Sequence, residues 1–143
     1  MRFEAQGTQQ ASRQLGQIRD RLGPEQQKWV FTKLLDDLYA IQRMWWTKQF
    51  GGKTDKSKRP GNPPAYMFKT GDLKAAATTK NAANSYNQAT DQFALVGLKG
   101  DAEKLAGIHR GLGRDVIAEI TKHDNKNLTE SMGRFLFAAG GAR

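Results

Sequence analysis

The chain has 143 residues, 38% hydrophobic and 26% charged, with 15 glycines and a mean hydropathy of -0.71, which suits one core and leaves little room for a second domain of ordinary size. Its 23 Lys and Arg against 14 Asp and Glu give a formal charge of +9, which either draws polyanions such as nucleic acid or acidic protein surfaces or serves solubility alone. The absence of cysteine excludes disulfides, thiol nucleophiles and thiolate metal sites and fits assembly in a reducing cytoplasm, and no run reaches the roughly 18 apolar residues of a membrane span.

Residues 2 to 6 read as a short strand. Thr8 then caps a helix whose apolar positions Ala11, Leu15, Ile18 and Leu22 recur at helical spacing, with Gly23 as its stop. Pro24 suits the first position of the next helix, where its missing N–H costs nothing. From Pro24 to Phe50 the pattern is the strongest in the chain: Phe31, Leu34, Leu35, Leu38 and Ile41 form a core stripe continued by Trp45, with Val30, Met44 and Trp46 broadening it. Such a helix is about 40 Å long, more than one small sheet needs.

Gly51 and Gly52 end this helix and open an exposed arm over 51–66. The arm carries Lys53, Lys56, Lys58 and Arg59 against a single Asp55, and its prolines oppose helix and central strand alike. Leu73 to Thr79 and Gln92 to Leu98 then read as an antiparallel strand pair across the turn-rich Asn81 to Asn87. Asp101 caps a short helix reaching about His109. Val116 to Lys122 reads as a strand or a helix, and Phe135 to Phe137 as a short terminal strand.

Catalytic patterns are weak. Neither His109 nor His123 sits in a catalytic arrangement, and Glu119 with His123 supplies at most half of a metal site. His109 reads better as a packed histidine beside the glycines that follow it. Walker, dinucleotide-binding and nucleophile-elbow motifs are missing, and Asp36, Asp37, Asp101, Glu103 and Asp115 read as solvated charges and helix caps. No enzyme activity, cofactor or metal is expected. Lys53, Lys56, Lys58 and Arg59 are the candidate contacts to phosphates or to an acidic neighbour. Trp45 and Trp46 beside them either stack on a partner or complete the core stripe.

The order of these features resembles the phage virion-morphogenesis and tail-completion family, small proteins that help join a tail to a DNA-filled head. The resemblance runs over most of the chain: an N-terminal helix, the Leu22-Gly-Pro-Glu-Gln start of a long second helix, the basic Pro-containing loop, and Phe68-Lys-Thr70-Gly71-Asp-Leu73-Lys74, similar to the family's Thr-Gly-x-Leu-Arg segment. Leu95-Val96-Gly97 matches the end of a family strand, and Ala106-Gly-Ile-His109-Arg-Gly-Leu-Gly-Arg-Asp115 resembles the stretch Ala-x-x-His-Gln-x-Gly. Met132-Gly-Arg134-Phe135-Leu136 departs from the family's Arg-Pro-Phe-Leu in lacking the proline.

The expected fold is α+β, with long N-terminal helices packed on a small antiparallel β-sheet, an extended basic loop and residues 1–143 in a single domain whose segment 124–143 lies between subunits. The resemblance implies a structural virion protein of the neck or tail, made in the host cytoplasm, whose copies form a ring expected to be a hexamer. Its implied neighbours are head-to-tail connector and tail proteins, with non-specific contact to DNA in the lumen and no membrane. A free basic nucleic-acid-binding protein is the alternative.

Overall fold

The structure, a computed structural model, describes residues 1–3, 17, 21–50, 72–111, 113 and 115–140. The expected helix from Thr8 to Leu22 lies almost wholly outside these residues, and the basic arm lies outside them altogether. The described elements are β1 (Arg2–Phe3), α1 (Pro24–Phe50), α2 (Asp72–Thr78), β2 (Ser85–Ala89), β3 (Ala94–Leu98), α3 (Gly100–Gly111) and α4 (Lys122–Gly140). The class is α+β. The strands are ordered β1-β3-β2, with Arg2 opposite Leu95 and Phe3 opposite Ala94 in antiparallel register.

Helix α1 spans the 27 residues that its apolar spacing predicts. Its start is closed by Gln26, whose side-chain oxygen accepts the Gly23 N–H at 3.0 Å, satisfying a donor that has no partner within the helix.

The described residues divide into two compact units, one of Met1–Leu38, Gln88–Leu95 and Glu119–Arg143, the other of Tyr39–Asn87 and Val96–Ala118. In the first, Val30, Phe31, Leu34, Leu35 and Leu38 are buried on α1. Leu128, Met132 and Leu136, four residues apart, form the buried stripe of α4, and burying each such side chain is worth roughly 1.5–3 kcal/mol. The two helices run antiparallel, since Trp29 meets Phe135 edge-on with centroids 6.3 Å apart while Gly140 lies against Leu22. A Cβ at Gly140 would come within 2.9 Å of the Leu22 side chain, so any larger residue there requires the end of that side chain to shift.

Helix α4 opens on a reciprocal cap in which the Asp124 N–H donates to Thr121 Oγ1 and the Thr121 N–H to Asp124 Oδ2, both at 3.1 Å. This helix replaces the terminal strand expected at Phe135–Phe137. The β-prone Phe-Leu-Phe run yields to the longer helical stripe and its cap.

In the second unit, Trp46 and Phe50 of α1 pack with Leu73, Ala76 and Ala77 of α2, Ala102 of α3 and Val116. The strand expected over Leu73–Thr79 is this helix α2. Its alanine run favours helix, and the buried Leu73, Ala76 and Ala77 follow the i, i+3, i+4 rule. The strand paired with β3 is instead β2, which begins inside the region expected to be turns and runs two residues beyond it.

Two positions at the hairpin's open end require special backbone geometry. Asn84 has a positive φ of 63° and accepts the Lys99 N–H at 2.9 Å, and asparagine tolerates that region better than most residues. Gly100 has φ +61°, and a Cβ there would lie 2.8 Å from the Asn84 side chain.

Candidate functional site

In the second unit the chain that follows α3 is held by side chains of α1. Gln42 is fully buried. Its Nε2 donates to the Val116 carbonyl and its Oε1 accepts the Ala118 N–H at 2.9 Å. One turn further along, Trp45 Nε1 donates to the Asp115 carbonyl at 2.8 Å. Residues 115–118 are thus neither strand nor helix, contrary to both alternatives for Val116–Lys122, because an amide side chain and an indole supply the backbone partners that a ladder would.

The tether leaves a cleft of about 410 Å³ between α3 and this segment. Leu98, Ala106, Val116 and Ile117 give it an apolar floor, and Gly107 contributes backbone without a side chain. Glu103, Arg110 and Asp115 supply its charges. Arg110 Nε lies 3.7 Å from Asp115 Oδ1, with the arginine side chain 83% and the aspartate 47% exposed, so this pair is a weak surface contact. Glu103 is exposed and has no ion pair among the described residues. An aliphatic floor beside exposed carboxylates suits a cation on a hydrocarbon stem.

His109 lies outside the lining of this cleft. It is fully buried on α3 and meets Phe50 edge-on at 6.2 Å, a packed histidine as its sequence position implies. Gly113 follows the helix with φ +77° and donates its N–H to the Arg110 carbonyl at 3.0 Å, closing the C-terminus in the left-handed conformation that glycine adopts without strain.

The sequence-predicted contact residues fare unevenly. Lys53, Lys56, Lys58 and Arg59 lie outside the described residues. Trp46 is 2% exposed, stacked at a tilt on Phe50 with centroids 4.4 Å apart, so of its two readings it takes the one that completes the core, and it is not placed to stack on a partner. Trp45 is half-buried and committed to Asp115. Of the core stripe, Phe31, Leu34, Leu35 and Leu38 are buried, whereas Ile41 is only half-buried and Met44 is 75% exposed.

Glu119 lies in the irregular segment before α4 and His123 in its first turn, where His123 Nε2 pairs with Asn127 Nδ2 at 3.2 Å. They share no helical face. Among the described residues no group of three His, Asp or Glu is placed to hold a metal, and no helix is long and apolar enough to cross a membrane. Sequence reading missed Gln42 and the cleft. Gln42 stands on the buried stripe of α1, four residues after Leu38 and four before Trp46, but the backbone groups it serves lie far along the chain, whereas Gly107 within a helical pattern is visible locally.

Comparison with known proteins places nothing beside this chain: no family model, no curated protein and no solved structure matches it.

Proposed function

We propose that the protein is a structural virion component of a tailed phage, a tail-completion or neck protein that assembles into a ring joining the tail to the DNA-filled head. The carrying observation is the order of motifs over most of the chain, from Leu22-Gly-Pro-Glu-Gln through Thr70-Gly71-Asp-Leu73-Lys74 to Ala106-Gly-Ile-His109, which resembles that family. Helix α1, beginning at the Pro24 of the first motif, supports it. So do the 75% exposed Met44 and the 51% exposed Ile108 of the second unit, apolar side chains that a neighbouring copy can cover. A ring needs an interface of two different patches on each copy. The protein acts by joining copies and catalyses no reaction.

Electron microscopy of particles made without this protein tests the reading. Filled heads and tails should accumulate unjoined, and intact infectious virions would refute it.

The basic arm favours one competing reading, a free nucleic-acid binder. Four arm cations on duplex phosphates predict a log K against log salt slope of about -3.6, a loss of roughly 150-fold from about 50 to about 200 mM salt. A ring component whose arm meets protein releases no counterions from duplex phosphates, so titration with duplex lacks that slope.

A further inference from the structure

Gly107 stands in the middle of α3, where glycine is disfavoured relative to alanine because its unfolded backbone has more freedom to lose. A Cβ added there would meet nothing within 4 Å, so no contact among the described residues demands the glycine. The same residue lines the cleft beside Ala106, and any side chain would narrow that cleft. The glycine keeps open a space that its own described surroundings do not fill.

Two carboxylates, Glu103 and Asp115, face one guanidinium in the lining. The guanidinium is itself replaceable, since Arg110 reaches Asp115 only at 3.7 Å and is mostly exposed. An entering lysine or arginine lays its methylenes on Leu98, Ala106 and Val116 and offers its head to the carboxylates. One stretch of this chain has the complementary charge, the segment from Lys53 to Arg59, with four cations and one anion.

We infer that the cleft receives the basic segment Lys53–Arg59 of a second copy of this chain. This deepens the assembly reading and rests on it: cleft and arm are two different patches, which is what a head-to-tail interface requires.

The absence of native cysteine makes the test clean. Ser57→Cys, which keeps all four cations, and Lys104→Cys, at an exposed position beside Glu103, are introduced in separate preparations, each checked for a normal melting transition. They are then mixed in equal amounts and treated with a short bismaleimide, which spans the distance that a disulfide does not. A covalent dimer should form in the mixture and in neither preparation alone. Adding Gly107→Leu to the Lys104→Cys chain should cut its yield at least tenfold, with the fold retained.

Three results overturn the inference. An oligomer by sedimentation that gives no cross-link refutes the cleft and leaves the ring standing. A double variant that links only within one chain shows that the arm stays on its own copy. Preparations that remain monomeric at every concentration refute the ring as well.

Discussion

Replacing Gln42 tests the tether on which the cleft depends. The side chain is fully buried and serves two backbone groups of one segment, the Val116 carbonyl and the Ala118 N–H. Gln42→Leu retains most of the volume and removes both partners. Each buried group left unsatisfied costs about 1–3 kcal/mol, so the loss is about 2–6 kcal/mol, a large part of the roughly 5–15 kcal/mol that holds a domain folded. At roughly 3 °C per kcal/mol for a chain of this size, Tm falls by about 6–18 °C.

Gln42→Glu sharpens the test through pH. The carboxylate still accepts from Ala118 but offers no proton to Val116, and it buries a charge. Once protonated it donates and accepts as glutamine does. Burial raises the folded-state pKa of such a carboxyl above its unfolded value, so the stabilising contribution is complete below the unfolded pKa and is lost as pH rises through the folded one. Urea titrations followed by tryptophan fluorescence at acid and neutral pH measure both variants. A loss under about 1 kcal/mol for Gln42→Leu, or a Gln42→Glu variant no better in acid relative to wild type, would show that water replaces these bonds and that the segment is held by something else.

The two ends of the α1 stripe should separate under substitution. Leu38→Ala empties a fully buried position at a cost of about 2–5 kcal/mol, whereas Ile41→Ala, at a half-buried one, should cost roughly half as much; equal losses in urea would contradict the burial assigned to them. The two glycines near the cleft should move in opposite directions. Gly107→Ala gains about 0.5–1 kcal/mol in the isolated chain through helix propensity, while Gly113→Ala forces a Cβ into φ +77° and costs about 1–2 kcal/mol, both read as shifts in Tm.

Much of α1 is legible because several independent signals agree on it. Pro24 at the first position, apolar residues at helical spacing and a glycine pair after Phe50 all give the same boundaries. Short elements lack that redundancy. Leu73–Thr79 is too brief for length to separate strand from helix, and its two threonines pull toward strand although Leu73, Ala76 and Ala77 already sit on one helical face. Strand β2 is hidden by composition, since Ser85-Tyr-Asn-Gln-Ala89 is mostly polar and only Ser85 is buried. What declares it is its partner: the Lys99 N–H closes on Asn84 at one end and the Thr90 N–H on Phe93 at the other.

The cleft was half legible, and the reason is physical. Residues 106–115 announce themselves by their glycines, but a glycine's meaning depends on what surrounds it, and here that is supplied from far along the chain. Gly113 is explained by its own backbone angle and Gly100 by the nearby Asn84. Gly107 has no such cause among the described residues. Its neighbour segment is drawn to α1 by Gln42 and Trp45, more than 65 residues away in sequence, and that tether turns an ordinary helix surface into one wall of a cleft. In the assembly proposed above, the room that Gly107 leaves is taken up by another copy of the chain. Gly107→Ala therefore carries a double consequence: the isolated protein should melt higher while the cross-link between copies weakens, and a purely structural role for the glycine cannot produce both.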